Sequence, residues 1–368
     1  MPSGPAVILP PILIAFGGLV IGIVVGYTAR RANLCTLGAI EAALVGRDWR
    51  RMKVFGLALA IALLLTQGLI LAKAIDPSAS SYLPTKVAFF SIFIGGLSFG
   101  LGMALVGTCG FGSLLRLGGG DLRSLVTIIV YAIFATMVLR GALSGLRIEG
   151  LERIATAMPQ ESPSSFIDLA ERLGLPKARW WLTALFVVLL GLPALIDPGL
   201  RGKKRLMRAG WVLGLGIAGG WFFTGAFNDP FENAARVQSL TFVSPVARGF
   251  HALVFGSREW LEFGITSVIG VVFGANIAAL RAEDMRWEAF DDHVEMRRHL
   301  IGATFMGIGG VLAGGCTIGQ GLTAGSLLAV SWPVAVIGIL IGARAGLSIL
   351  ISDSFSDFIR NLRPDDEY

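Results

Sequence analysis

The chain has 368 residues, of which 54% are hydrophobic and only 15% are charged, and its mean hydropathy is +0.72. Soluble domains carry about 25% charged residues, so this composition excludes an ordinary soluble protein. The formal net charge of +6 is modest, and the positive residues fall mostly in short connections, which argues against a nucleic-acid-binding surface.

Apolar runs of about 20 residues recur along the chain without strict alternation, which is typical of membrane-spanning helices and not of a β-barrel. We therefore predict an all-α integral membrane protein. The first run is too long for the apolar part of a signal peptide and is interpreted as a retained span. Nine spans are predicted, at 8–28, 54–73, 87–106, 123–140, 180–196, 209–225, 262–280, 299–314 and 332–351.

Basic residues set the predicted orientation. They are concentrated after the first span, at Arg30, Arg31, Arg47, Arg50, Arg51 and Lys53, and after the fifth, at Arg201, Lys203, Lys204, Arg205 and Arg208. The positive-inside rule places both connections in the cytoplasm of a bacterial inner-membrane protein. The N-terminus is then periplasmic, the polar insert 141–179 is external, and the tail 354–368 is cytoplasmic.

The chain resembles itself at an offset of 207 residues, which aligns Cys109 with Cys316. Without a gap, this offset also matches Ile94, Gly95, Gly100, Gly102, Leu105, Gly107, Gly112 and Leu115 to identical residues of the second half. Spans 1–4 pair with spans 6–9 and span 5 is a connector, so equivalent positions are an odd number of crossings apart. This predicts an inverted repeat made of 1–145 and 206–353, joined by 146–205. Inverted repeats are typical of transporters with a site near the membrane midplane.

Two glycine–cysteine motifs lie at equivalent positions of this repeat. The first motif is Gly107–Gly112, with Cys109, and the second motif is Gly314–Gly321, with Cys316. Each precedes an apolar stretch too short to cross the membrane, so we predict a re-entrant half-helix after each cysteine. Glycine permits positive φ and close approach, and the free N–H groups of a helix start favour an anion. The alternative is a turn that only packs helices, with each cysteine a buried apolar side chain.

The third thiol, Cys35, follows the basic pair that ends the first span. Asn33 or Thr36 is predicted to cap a further short helix there. In the second half Thr241 or Phe242 falls at the position equivalent to Cys35. Taken alone, Cys35 is as well interpreted as a packing residue. The candidate substrate-binding residues are Cys35, Cys109, Cys316, Gly107, Thr108, Gly110, Gly112, Gly315, Thr317, Gly319 and Gln320.

No carboxylate pair, catalytic triad or nucleotide-binding loop stands in a context that supports enzymatic chemistry. We therefore predict no catalytic residues, no metal site and no cofactor. The widely separated cysteines indicate free thiols. Arg140 and Arg344, at the edges of spans, either attract an anion toward the pathway or extend to the headgroups.

The segments around Cys35, around Cys109 and from Gly274 to Gly321 together resemble the YeeE/YedE family of thiosulfate permeases, also described by its sulfur transport domain. The resemblance implies an hourglass-like helical protein with re-entrant segments, in which Cys35, Cys109 and Cys316 relay thiosulfate ion across the lipid bilayer. It also implies a cytoplasmic sulfur carrier of the TusA type as a partner. The alternatives are a membrane sulfurtransferase that uses a cysteine persulfide and a transporter of another sulfur or selenium species.

Overall fold

The apolar runs of the sequence form helices that pack through their glycine-rich faces. A computed structural model describes residues 9–157, 164–175, 177–227, 237–256 and 259–351. Its α-helices in these ranges are α1 Leu9–Arg31, α2 Thr36–Leu44, α3 Arg50–Leu71, α4 Phe89–Val106, α5 Gly110–Gly118, α6 Leu122–Leu139, α7 Phe166–Arg172, α8 Ala178–Ile196, α9 Pro198–Arg201, α10 Lys204–Ala226, α11 Ser244–Phe255, α12 Phe263–Ala282, α13 His293–Leu312 and α14 Ser331–Ile351.

Each of the nine predicted spans coincides with one of the long helices. Within the described ranges, eight helices are long and apolar enough to cross a membrane, which confirms the prediction of an all-α, multi-pass membrane protein. The ninth, α13, is 20 residues long but carries His293, Glu295, Arg297, Arg298 and His299 in its first two turns. Its apolar part is therefore confined to the C-terminal turns that the sequence identified.

Helices from different halves of the chain pack side by side in parallel. A Cβ added to Gly22 of α1 would lie 2.3 Å from the Ser267 carbonyl oxygen of α12, and one added to Gly26 would lie 2.2 Å from that of Val271. Helices α4 and α14 also run parallel in close contact. A Cβ added to Gly96 would lie 2.8 Å from the Ala335 oxygen, and one added to Gly100 would lie 2.2 Å from the Ile339 oxygen. Such contacts are possible only with glycine, which lets the two backbones approach closely.

Helices at equivalent positions of the two halves run antiparallel instead. An added Cβ on Gly102 of α4 would lie 2.4 Å from the Gly302 oxygen of α13, whereas one on Gly309 would lie 2.4 Å from the Phe99 nitrogen. The contacts thus proceed in opposite directions along the two helices. This is the packing that an inverted repeat produces and it supports that prediction, while the boundaries at 145, 205 and 353 remain predictions.

The insert 141–179 folds against the membrane-spanning part of the protein. It contains a π-helical segment, Leu146–Leu151, a short 3-10 turn, Glu152–Ile154, and the strand β2, Thr156–Ala157, which pairs antiparallel with β1, Lys86–Val87. Beyond β2, the Phe166 N–H donates to the Leu328 oxygen at 2.9 Å. Residues 158–163 and 176 of the insert, and the predicted cytoplasmic tail 354–368, lie outside the described residues.

Candidate functional site

The first motif turns the chain from a long helix into a short one. Gly107 adopts φ 75° and ends α4, a left-handed conformation that strongly favours glycine. Cys109 is fully buried and occupies the N-cap of the nine-residue helix α5. Its Sγ accepts the Gly112 N–H at 3.3 Å. The predicted half-helix after Cys109 is therefore present, and the thiol lies directly at its N-terminus.

The second motif repeats this turn with a different continuation. Gly314 adopts φ 73°, and the buried Sγ of Cys316 accepts the Gly319 N–H at 3.4 Å. The predicted half-helix is wrong in kind, because Gly319–Ala324 is a six-residue π-helical segment. The reason is that the Thr323 N–H reaches back five residues to the Ile318 oxygen at 2.9 Å, which widens the turn around the thiol. Wide turns of this kind are frequent at functional sites.

Cys35 begins a third short helix. Asn33 adopts φ 49° after the end of α1, and Cys35 itself stands at the N-cap of α2. The prediction that Asn33 or Thr36 caps this helix is therefore wrong: Asn33 is used for the left-handed turn, and Thr36 is already the first helical residue. All three cysteines therefore lie near the start of a short helical segment. Cys35 and Cys109 are N-cap residues, and Cys316 lies three residues before Gly319, where the π-helical segment begins.

The starts of α2 and α5 converge on one point, which brings two of the thiols together. A Cβ added to Gly112 would lie 3.2 Å from Cys35 Sγ, 3.5 Å from Cys109 Sγ and 2.2 Å from Thr108 Oγ1. The two thiols are therefore neighbours, and Cys35 Sγ lies 3.6 Å from Thr108 Oγ1. We name these four residues, Cys35, Thr108, Cys109 and Gly112, the inner thiol site.

The second motif contacts α2, the short helix that begins after Cys35. Thr317 Oγ1 donates to Thr36 Oγ1 at 3.1 Å, so the residue after Cys316 touches the residue after Cys35. The buried side chain of Gln320 donates through Nε2 to the Ala313 oxygen at 2.8 Å, which ties the π-helical segment back to the end of α13. Gly315 leaves room for this arrangement, because a Cβ there would lie 3.1 Å from the Gln320 nitrogen.

Two cavities flank the cysteines, and we name them after the predicted orientation. The inner cavity, about 300 Å³, contains Cys35, Thr108 and Gly112 and has the basic side chains Arg30, Arg51 and Arg116. The outer cavity, about 620 Å³, contains Gly314, Gln320 and Thr241 and has the basic side chains Lys86, Arg147 and Arg248.

These cavities lie at opposite ends of α4. Ser91, near its start, lines the outer cavity, and Gly107, at its C-terminal cap, lines the inner one. At about 1.5 Å per residue the two positions are about 24 Å apart, close to the thickness of a hydrocarbon core. A basic cavity thus lies at each end of α4, and Cys35 lines the inner one.

Comparison with known proteins identifies the family. The sulphur transport family model matches residues 31–345. The chain belongs to this family. The thiosulfate transporter TsuA of Escherichia coli K12 is 25% identical over 338 residues, which cover 88% of this chain and 91% of the relative. The thiosulfate transporter TsuA of Spirochaeta thermophila is 26% identical over 337 residues, which cover 88% of this chain and 96% of the relative.

In this member of the sulphur transport family some predicted residues lie apart from the thiols' contacts. A Cβ added to Gly110 would meet only Met306 Cε, at 3.9 Å, so there is room for a side chain at this position. Arg140 and Arg344 are exposed, and neither lines the outer or the inner cavity. Their role as attractors of an anion stays a prediction.

Sequence reasoning did not select two residues that the structure of this family member places beside the second motif. Thr241 Oγ1 and the Tyr82 hydroxyl lie 2.4 Å and 2.9 Å from the Cβ position of Gly319. The signal for Thr241 was its alignment with Cys35 in the repeat. Tyr82 follows α3 in an irregular connection and is not marked by any motif.

Proposed function

We propose that this protein imports thiosulfate across the bacterial inner membrane, from the outer cavity past Cys316, Cys109 and Cys35 to the inner cavity. The observation that carries the proposal is that thiols separated by as many as 281 positions in the sequence lie at or just before the starts of short helical segments, with a basic cavity at either end of α4. The relatives named above are thiosulfate transporters, which supports thiosulfate as the cargo.

The chemistry of the site suits this anion. Thiosulfate is a dianion with a soft terminal sulfur, and a conducting site has to attract the ion without holding it tightly. Neutral S–H groups and the partial positive charge of a helix N-terminus provide such weak attraction. A lysine or arginine at the same depth would bind a dianion much more strongly, and the basic side chains here lie in the cavities at the two ends. Several weak donors in series therefore let the ion move through the protein without being bound tightly at any one of them.

The test is uptake of labelled thiosulfate by cells that lack other sulfur importers. We expect Cys109→Ala and Cys316→Ala to reduce uptake about ten-fold or more at equal expression, because each removes one of the sulfurs that the ion contacts in series. Cys109→Ser separates the thiol from mere hydrogen bonding, since it keeps a donor and an acceptor but loses the soft sulfur. Wild-type uptake by both alanine variants would contradict the relay.

One observation favours the sulfurtransferase alternative. Cys35 and Cys109 are the N-cap residues of α2 and α5, and a helix N-terminus favours a thiolate. A thiolate there could attack the sulfane sulfur of thiosulfate and form a persulfide, with sulfite as the leaving group. Mass spectrometry of the purified protein after exposure to thiosulfate distinguishes the two functions. A persulfide that accumulates and turns over would establish the enzyme, whereas unmodified cysteines in a transporting protein fit the relay.

The resemblance also leads us to propose a cytoplasmic sulfur carrier of the TusA type as the acceptor at the inner cavity. The basic rim formed by Arg30, Arg51 and Arg116 provides a surface for an acidic partner. Loss of co-purification in an Arg51→Glu variant is the expected result, and co-purification of that variant at the wild-type level would contradict this contact.

A further inference from the structure

A buried threonine beside the second motif has the Tyr82 hydroxyl as its polar neighbour. Thr241 lies in the segment between α10 and α11 and is 5% exposed, and its Oγ1 makes no well-formed hydrogen bond among the described residues. The same side chain lines the outer cavity, together with Tyr82 and Gln320. A buried hydroxyl without a well-formed hydrogen bond is destabilising, and a ligand in the cavity would supply the missing partner.

Thr241 occupies the place in the second half that Cys35 occupies in the first. Gly112 and Gly319 are equivalent in the repeat. A Cβ at Gly112 would lie 3.2 Å from Cys35 Sγ, and a Cβ at Gly319 would lie 2.4 Å from Thr241 Oγ1. The two positions differ in chemistry, because a hydroxyl replaces the thiol.

A second hydroxyl completes the arrangement. Tyr82, which is 6% exposed, places its hydroxyl oxygen 2.9 Å from the same Cβ position of Gly319, where Thr108 stands near Gly112 in the inner thiol site. Its ring is fixed edge-on against Trp221, with ring centroids 6.4 Å apart. Two O–H groups therefore converge next to the glycine whose N–H binds Cys316.

We propose that Thr241 and Tyr82 form an outer hydroxyl site that binds thiosulfate by its sulfonate oxygens before the sulfane sulfur reaches Cys316. This inference rests on the proposed function and adds the residues that select the anion at entry. Hydroxyl groups form short, strong hydrogen bonds to anionic oxygen, whereas a thiol is the better contact for sulfur. The sulfonate oxygens of thiosulfate thus meet the hydroxyl groups first, and its sulfane sulfur meets the thiol of Cys316 afterwards.

The charges around this site attract an anion without trapping it. Arg248, 4% exposed, lines the outer cavity but already pairs with Glu262 at 2.7 Å and donates to Gln238 at 3.1 Å. Its charge is therefore largely compensated. Lys86 and Arg147 line the same cavity, and Arg147 is paired with Glu152 at 2.8 Å. Specific recognition is left to the hydroxyl groups.

This arrangement gives sulfate a defined effect. Sulfate carries the oxygens that the outer hydroxyl site binds but lacks the sulfane sulfur that the thiols contact. We therefore expect sulfate to compete with thiosulfate at the outer site without being transported. A variant without the hydroxyl should bind both anions more weakly at this step.

The test compares uptake kinetics of hydroxyl-deleted variants. We expect Thr241→Val to raise the KM for thiosulfate about ten-fold or more, which is the effect of one lost charge-assisted hydrogen bond, with the maximal rate within about two-fold of wild type. The inhibition constant of sulfate should rise by a similar factor. Thr241→Ser keeps the hydroxyl and should restore both values.

The control is Thr66→Val. Thr66 in α3 is equally buried and its Oγ1 also makes no well-formed hydrogen bond among the described residues, but it lines neither cavity, so its KM should equal that of wild type. Tyr82→Phe provides a second variant if Thr241→Val does not fold, and its KM should also rise. A wild-type KM for Thr241→Val, or for Tyr82→Phe in its place, overturns the outer hydroxyl site. The relay is still supported in that case if Cys316→Ala loses uptake. Normal uptake by Cys316→Ala and Cys109→Ala contradicts the relay itself.

Discussion

At the scale of single residues, the unusual feature is a cysteine used as a helix cap. N-caps are most often Ser, Thr, Asp or Asn, whose oxygen accepts an N–H group of the first turn. In α5 the acceptor is Cys109 Sγ, 3.3 Å from the Gly112 nitrogen, and sulfur is a weak acceptor. The helix start is therefore only partly satisfied by its own cap, which is the property that the proposed relay requires of it.

Gly112 is the position where the inner thiol site has no spare space. We predict that Gly112→Ala reduces thiosulfate uptake at least about ten-fold with the fold retained. The added methyl group would lie 2.2–3.5 Å from Thr108 Oγ1 and the two sulfurs, so it would displace one or more of them. Gly110→Ala is the matched control in the same helix, since its methyl group meets only Met306 Cε at 3.9 Å. Equal uptake by the two variants, measured at equal expression, would contradict the assigned role of this site.

Single residues are also where sequence reasoning reached its limit. The cysteines and glycines of the two motifs could be selected because their spacing repeats. The cap of α2 could not, since Asn33, the usual type of cap, is needed for the left-handed turn after α1. The choice between Thr241 and Phe242 required side-chain positions: Thr241 Oγ1 faces Gly319, while Phe242 stacks on Phe111 at 4.9 Å.

At the scale of helices, glycine determines which pairs pack closely. We predict that Gly100→Ala lowers the thermal unfolding temperature of the detergent-solubilised protein, because its methyl group would lie 2.2 Å from the Ile339 oxygen of α14 and backbone atoms cannot move aside cheaply. Overpacking of this kind costs about 1–3 kcal/mol. Gly68→Ala in α3 has nothing within 4 Å, so it should leave the temperature unchanged or raise it, as alanine is the better helix former. An unfolding temperature for Gly100→Ala at or above that of wild type would show that this helix contact is not close.

The long helices could be predicted because about 20 apolar residues have few other solutions in a bilayer. The short ones could not be predicted in detail. Helix α2, of 9 residues, continues the apolar region of α1, so the sequence indicates a short helix there without its bounds. Helix α11, of 12 residues, is too short to give the apolar run of a span. The π-helical turn Gly319–Ala324 is set by main-chain hydrogen bonds such as that from the Thr323 N–H to the Ile318 oxygen, which composition does not encode.

At the scale of the whole molecule, the two cavities give the orientation a direct test. Lys86 and Arg51 are both exposed, and they line the outer and the inner cavity. We predict that a membrane-impermeant maleimide labels Lys86→Cys in intact cells with a permeable outer membrane, and labels Arg51→Cys only after the inner membrane is opened. Cys109 and Cys316 are fully buried, whereas Cys35 is partly exposed in the inner cavity, so labelling of the unsubstituted protein is subtracted as the background. The reverse pattern would invert the assigned direction of transport.

The parallel pairing of helices from opposite halves has a consequence for how the protein is made. Helix α1 ends at Arg31 and its partner α12 begins at Phe263. At a synthesis rate of about 5–20 residues per second, α1 stays in the bilayer for roughly 10–50 s before that partner exists. Helix α4 has to remain without α14 in the same way. A chain interrupted after α8 thus exposes glycine-lined backbone to lipid, which makes the first half a substrate for membrane proteolysis until the second half has been synthesised.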